Sequence, residues 1–520
     1  MELSTVLFLV LVLLGYLWWK VTRPKSFPPG PLALPIVGNL LQLDFSNFLK
    51  SLKEFSKVYG PVYSIFMGST PVVFVRGLTA MKDVLVVRGL EFADRPQNKT
   101  SREFFHDKVM YSTLCVRLSC LLPVWECRHQ GTRFTSRTGL VMAPYGRAWK
   151  EHRRFTLSTL RDFGVGKNSM EEKIANESVY LIQEFKKNQD ILYDPHYIVD
   201  NAVSNIICYL VFGRRYKYDD NTFRTILNIV HEQMTLMTSF WGQLYTALEF
   251  IKYLPLPHRK LFSNIKTIYA FLGNVLEEHK RSRIVGEPRD YIDCYLEELE
   301  QEKKESNNKQ TFGNQNLFSC LVDLFVAGTE TTSASLKWAL LYMMAFPDIQ
   351  EKCRNEIDKV RGDRERLDYG DRVSMPYTQA VLQEVQRFTT IVPLGVAHST
   401  QKSVELNGFT IPKGTFIMTD LSSLHSDETC WKYPHEFNPE NFLNDDGELL
   451  KAESFLPFSA GPRSCLGENL ARMEIFLFFT AFLTHFEFHC SDPTSPPDLT
   501  PVFGITHVPK RFKMRLVSRC

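Results

Sequence analysis

Apolar positions divide the chain into unlike stretches. From Ser4 to Trp19 the run is almost unbroken, with Leu7, Phe8, Leu9, Val10, Leu11, Val12, Leu13, Leu14 and Leu17. Such a run seeks hydrocarbon. It is slightly shorter than the roughly 20 residues of a typical bilayer span, and it predicts a membrane helix with Trp18, Trp19 and Lys20 at the interface. Phe27 to Pro35 cannot continue that helix, because each proline removes a backbone donor and restricts the residue before it. Val62, Tyr63 and Ile65, then Val72, Val73, Phe74 and Val75, flank Gly68-Ser-Thr-Pro71 in the pattern of a strand hairpin. Farther on, apolar residues recur at helical spacing and predict helices over roughly 171–188, 197–212, 221–238, 261–282, 316–346 and 376–390. Strand-like pieces near 396–418 and after 485 complete a mainly α (α+β) plan with small β-sheets. Gln301 to Thr311 reads as a solvated polar loop, and no internal repeat is visible.

Composition narrows the function. The 520 residues are 44% hydrophobic and 13% aromatic, as in a globular protein, and 61 Lys and Arg against 58 Asp and Glu predict no nucleic-acid partner. None of the 11 cysteines forms a C-x-x-C pair, so they read as mostly reduced thiols. Lys20, Arg23 and Lys25 follow the apolar run, and this basic flank should stay cytosolic with everything after it. The expected layout is a transmembrane signal anchor over 1–20, a basic and proline-rich hinge over 21–36, and one catalytic domain over 37–520. A cleaved signal peptide is the competing reading, disfavoured because no small-residue cleavage site follows.

The chemistry concentrates in Phe458-Ser-Ala-Gly-Pro-Arg-Ser-Cys-Leu-Gly467, which leads into a helix near Glu468. A thiolate ligand for haem iron needs a dry pocket, backbone donors around sulfur, and glycines where the loop passes close to the macrocycle. Cys465, Gly461 and Gly467 fit these needs. Phe458 would cover the thiolate, and Arg463 could pair with a haem propionate.

This segment matches, at every fixed position, the F-x-x-G-x-R-x-C-x-G loop of the cytochrome P450 superfamily, and the chain resembles the vertebrate microsomal family-2 enzymes along nearly its whole length. The resemblance implies the helix-rich cytochrome P450 fold, haem b (iron protoporphyrin IX) and Cys465 as the metal ligand. Glu384-Val-Gln-Arg387 looks like the family's E-x-x-R pair, a buried structural ion pair at i and i+3. Its usual third partner, an arginine, is replaced by Asn441 in Pro439-Glu-Asn-Phe442. Ala327-Gly-Thr-Glu-Thr-Thr332, mid-way along a long helix without proline, resembles the oxygen-activating motif. There Gly328 would give room, and Glu330 and Thr331 would be the catalytic proton relay. Trp149 and Arg153, one turn apart, and His398 resemble propionate contacts. Matching segments place Phe325, Ala327, Gly328, Ile391, Val392, Leu394, Val396, Phe503 and Ile505 around an apolar substrate pocket.

The implied activity is insertion of one oxygen atom from O2 into a lipophilic small-molecule substrate, a xenobiotic, fatty acid or steroid, by hydroxylation or epoxidation. Electrons would come from NADPH-cytochrome P450 reductase, with cytochrome b5 as a further partner, at the endoplasmic reticulum membrane. Arg147, Lys150 and Arg154 form a basic stripe suited to an acidic electron donor. A peroxide-using haem-thiolate isomerase is the rival enzyme; Glu330-Thr331 and the stripe disfavour it. Between Arg95 and Trp149 the chain exceeds its relatives by roughly thirty residues, far more than a compact domain carries as a loop. The excess, about 109–138, includes Cys115, Cys120, Trp125 and Cys127 without periodicity. It begins at Val109, whose codons start with GT, as a retained intron would. A catalytically impaired isoform is therefore the second alternative.

Overall fold

Buried β-branched and aromatic residues place Val62–Met67 (β1) against Thr70–Val75 (β2) in an antiparallel hairpin whose register pairs Val62 with Val75 and Met67 with Thr70. His398–Ser399 (β3), the hairpin of Val404–Leu406 (β4) with Phe409–Ile411 (β5), and Phe416–Thr419 (β6) follow much later in the chain. Because β2 pairs in parallel with β6, the main sheet has the order β1-β2-β6-β3. The computed structural model describes residues 21–96, 139–189, 191–248, 253–305, 311–492 and 496–519, with positions 5, 8, 11, 12, 15, 16, 18 and 251. The expected insertion over 109–138 lies outside the described residues, as does most of the Ser4–Trp19 run. Among the described residues no helix is long and apolar enough to cross a membrane.

Helices make up the rest of the body. After Phe48–Tyr59 (α1) come Arg147–Asp162 (α2), Asn168–Lys186 (α3), His196–Phe212 (α4), Asn221–Thr238 (α5), Phe240–Ala247 (α6), Arg259–Ser282 (α7) and Tyr291–Lys304 (α8). They are followed by Asn314–Ala345 (α9), Pro347–Arg361 (α10), Pro376–Thr389 (α11) and Glu468–His485 (α12). All six helices expected from periodicity form within a few residues of their predicted limits. Of the helices that periodicity did not mark, α1, α8 and α10 are mostly polar and bury a narrow stripe. Gln301–Thr311 is corrected in part: α8 runs on to Lys304, and the carboxylate of Glu302 accepts the N–H groups of Thr311 and Phe312.

Helix α9 has 32 residues, about 48 Å at 1.5 Å per residue. It packs most extensively on α4, which is buried along almost its whole length. One apolar core runs from Leu160 of α2 through α3, α4, α9 and α12 to Leu516 in the C-terminal hairpin of Phe486–Cys490 (β7) with Met514–Ser518 (β10). A small hairpin, Pro501–Val502 (β8) with Val508–Pro509 (β9), lies beside α9.

On α11, Glu384 and Arg387 are both fully buried and joined by two hydrogen bonds, 2.6 and 2.7 Å. The remaining guanidinium N–H groups reach the carbonyls of His425, Tyr433, Pro434 and Glu436. Glu384 Oε1 also accepts from the backbone N–H of Asn438 and from Asn441 Nδ2, at 2.8 and 3.1 Å. Asn441 thus occupies the place of the usual arginine and further clasps the backbone of Tyr433. Since removing one partner of a buried pair leaves an uncompensated charge, Arg387→Met is expected to cost about 3–5 kcal/mol. Arg387→Lys should recover only part of that, because an ammonium has three donors and no fork. Denaturation followed by tryptophan fluorescence and circular dichroism checks both; full recovery with lysine would mean that charge alone matters.

Glu474 of α12 poses the opposite case, a carboxyl 1% exposed with neither oxygen hydrogen-bonded. Burial pushes its pKa well above the ordinary carboxylate range, so the folded protein holds it neutral. A group with a raised folded pKa contributes stability below its unfolded value of about 4.3, and that contribution is lost as pH rises through the folded pKa. Glu474→Gln should therefore flatten the decline of the unfolding midpoint between weakly acid and alkaline pH. An unchanged slope in a pH series of melts would contradict this.

Candidate active site

The cysteine loop is shaped by what it must avoid. Gly461 has φ +74°, and a Cβ there would lie 1.7 Å from the carbonyl oxygen of Leu85, so only glycine lets the loop press on the segment 83–87. Gly467 has no such crowding; it precedes α12, and its N–H together with that of Glu468 points at Cys465 sulfur. Cys465 N–H closes the turn onto the carbonyl of Phe458 at 3.0 Å, and Phe458 itself lies under the guanidinium of Arg472. The thiol remains accessible. Surrounding protein pushes its pKa up, while the two backbone donors and Arg153 pull it down. Sulfur that is reachable, held by amide donors and flanked by a cation fits a thiolate ligand to haem iron.

Arginines tie this loop to its neighbours. Arg153 Nη2 donates to the carbonyl of Ser464 at 2.8 Å, and burial lowers its pKa. Arg463 stacks 4.0 Å over Trp149 and donates to the carbonyls of Ala93, Leu140 and Ala143 at 2.8, 3.4 and 2.6 Å. Three of its five N–H groups are thereby engaged on backbone. Trp149 likewise uses its indole N–H on the carbonyl of Leu140, 2.9 Å away. Expected as propionate contacts, both residues act here as braces for residues 140–143. His398 is buried, with Nδ1 on the carbonyl of Phe92 at 3.0 Å. Burial, with Arg95 and Arg463 nearby, pulls its pKa down to about 3 and holds it neutral.

Helix α9 presents different chemistry on each face. Ala327 is exposed and Val326 and Thr331 partly so, although most of the helix is buried. Thr331 Oγ1 donates to the carbonyl of Ala327 at 2.8 Å, the back-bond that competes with regular helix bonding. Two expectations are corrected. Phe325 is fully buried among Phe212, Phe223 and Phe271, with ring centroids 5.8–6.3 Å away, and belongs to the core; Val326 is the accessible residue. The room at Gly328 is filled by Ile207 of α4, whose Cδ1 would meet a Cβ at 2.4 Å. Steps of about 100° per residue turn 325 and 328 away from the side that 327 and 331 share.

Ile391, Val392, Leu394, Val396, Phe503 and Ile505 are all partly exposed. Their two segments are joined by His507 N–H on the carbonyl of Ile391, 2.8 Å. Asp323, one turn before Ala327, escaped the sequence reading. One of its carboxylate oxygens accepts the N–H groups of both Leu140 and Val141, at 2.7 and 2.9 Å, beside Gly139 at φ +89°. Burial pushes its pKa up to about 6 against the pull of those bonds and of Arg95. Its spacing of four residues from Ala327 was the available signal. Arg147 and Lys150, with Arg154, are exposed on α2 as expected, Arg147 in a pair with Glu151.

Residues 28–113 and 128–516 match the family model described as Cytochrome P450, and the break falls within 109–138. The chain is 42% identical over 485 residues to Cytochrome P450 2J5 of Mus musculus, covering 93% of this chain and 89% of that protein. It is 40% identical over 503 residues to Cytochrome P450 2J2 of Homo sapiens, 96% and 93% of the two chains. With Cytochrome P450 2D26 of Rattus norvegicus it shares 39% over 518 residues, 99% and 97%. A family model matched through the helix-rich core on both sides of the break, a cysteine loop of this geometry and relatives spanning almost the full length together show that the chain belongs to the cytochrome P450 family and is a haem monooxygenase.

Proposed function

We propose that the protein oxidises lipophilic substrates by the balanced reaction R–H + O2 + NADPH + H+ → R–OH + H2O + NADP+. A membrane flavoprotein, NADPH-cytochrome P450 reductase, would deliver the electrons, with cytochrome b5 as an accessory donor. The observation that carries the reading is the accessible Cys465 sulfur between the Gly467 and Glu468 amides and Arg153. Haem b, bound through that sulfur, would supply the chemistry that activates dioxygen. Arg153 and His398, with the unused N–H groups of Arg463, are the residues fitted to hold its propionates; Trp149 would keep that edge dry. Ala327, lacking a long side chain, leaves one wall open, and Thr331 Oγ1 holds a proton within reach of that wall.

Val326, Ala327, Ile391, Val392, Leu394, Val396, Phe503 and Ile505 supply an apolar lining, which suits xenobiotics, fatty acids or steroids and orients them through few polar contacts. Arg147, Lys150 and Arg154 would receive the acidic face of the electron donor. Residues 1–20 are assigned as a single-pass anchor in the endoplasmic reticulum membrane, 21–36 as the hinge and 37–520 as the cytosolic catalytic domain, with 109–138 an inserted surface loop. The exposed Leu32, Ile36, Leu41 and Leu254 would add contact with the bilayer.

Cys465→His tests the ligand. The reduced wild-type protein with carbon monoxide should show the thiolate-type Soret band, and the variant should lose both band and turnover; a band that persists would refute the assignment. Thr331→Ala tests the proton path. Product per NADPH should fall, by up to the roughly 10²-fold that a positioned proton donor contributes. Hydrogen peroxide should rise in its place by O2 + NADPH + H+ → H2O2 + NADP+. Unchanged coupling would remove Thr331 from the mechanism.

A further inference from the structure

Glu330 neighbours Thr331 in sequence, yet its carboxylate does not turn toward the threonine. Its Oε1 lies 3.1 Å from Nδ1 of His231 on α5 and 3.2 Å from Oγ1 of Thr506 in the β8–β9 turn. A carboxylate only accepts, so the imidazole carries its proton on Nδ1 and both partners donate. The Glu330 side chain is 6% exposed and that of His231 43%, so the acid is interior and its partner reaches open space. The two donors come from elements that are themselves joined, since Ile505 N–H reaches the carbonyl of Met234 at 3.3 Å. Phe503 and Ile505, assigned above to the pocket lining, precede Thr506 in that turn. Among the described residues the His231 side chain has no hydrogen bond to the cysteine loop, and its partner is Glu330.

We propose that His231, together with Thr506, is a positioning residue that sets the Glu330 carboxylate for proton delivery, so that a shift of α5 or of the β8–β9 turn alters the protonation step. The idea rests on the proton relay assigned above to Glu330 and Thr331. Two donors on one oxygen hold the carboxylate at a fixed angle on α9 and leave Oε2 to exchange a proton with water beside Thr331. Because the donors sit on α5 and on the β8–β9 turn, a substrate that moves either element lengthens one of these bonds. Proton delivery thereby depends on what occupies the pocket.

The test uses full-length enzyme reconstituted with reductase and a lipophilic probe such as lauric acid, with Thr331→Ala as reference. His231→Leu removes the donor and should lower product per NADPH about tenfold, the loss of one hydrogen bond to a charged group. Peroxide should rise and the solvent deuterium isotope effect on turnover should grow, while the substrate KM changes little. His231→Asn places an amide N–H near the position of Nδ1 and should restore coupling. Thr506→Val should show a smaller loss of the same kind, and it serves if His231→Leu fails to fold. Normal coupling and isotope effect in both His231→Leu and Thr506→Val would overturn the proposal. A defect in His231→Leu that asparagine leaves unrelieved would overturn it too, because packing rather than the N–H would then be at work. If Thr331→Ala itself stays coupled, the relay reading fails first, and the two failures are told apart.

Discussion

A charged group removed from water must be surrounded by partners, and the fully buried Arg387 imposes that demand on a large part of the fold. Its guanidinium makes six hydrogen bonds, two to Glu384 and four to the carbonyls of His425, Tyr433, Pro434 and Glu436. The carbonyl of His425 ends the short helix Leu421–His425, whereas those of Tyr433, Pro434 and Glu436 lie in an irregular segment whose acceptors the arginine satisfies in place of a sheet ladder. The segment is tied to the approach of the cysteine loop by His425, whose Nε2 accepts the N–H of Leu456 at 3.2 Å. Asn441 completes the carboxylate side with a neutral amide, which satisfies Glu384 without adding a second buried cation.

The same device recurs nearer the site. Arg463 and Arg153, 4.0 and 5.6 Å from the Trp149 ring centroid, hold three separate backbone segments by carbonyl contacts. Asp323 does the converse, gathering the N–H groups of Leu140 and Val141. Loops that would otherwise be loosely specified around an apolar pocket are thus fastened by side chains from helices. A rigid frame and a pocket lined by irregular segments are combined without strain on the helices.

Helix α9 shows how one element serves both needs. Its Phe325 and Gly328 face the aromatic core and α4, its Ala327 and Thr331 the accessible side, and its Glu330 the donors His231 and Thr506. The close approach at Gly328 lets Ile207 lock α4 onto α9, which fixes the rotation of the helix and with it the direction of Thr331.

The sequence alone determined the helix-rich plan, the β1–β2 hairpin and the cysteine loop. Local spacing encodes each of these: apolar periods of 3.6 and 2, and a ten-residue run in which each fixed residue answers a local need. Glu384 with Arg387 was legible for the same reason, being one helical turn apart. Which way a residue faces among neighbours from distant segments was not legible. Phe325 was placed in the pocket lining by the resemblance, and only the packing of α4, α5 and α7 on α9 turns it to the core. Asp323 meets Leu140 across 183 positions and Glu330 meets Thr506 across 176, separations at which no periodicity operates. The tertiary structure alone decided these meetings, because a buried polar atom takes whichever partner the packed core brings within reach.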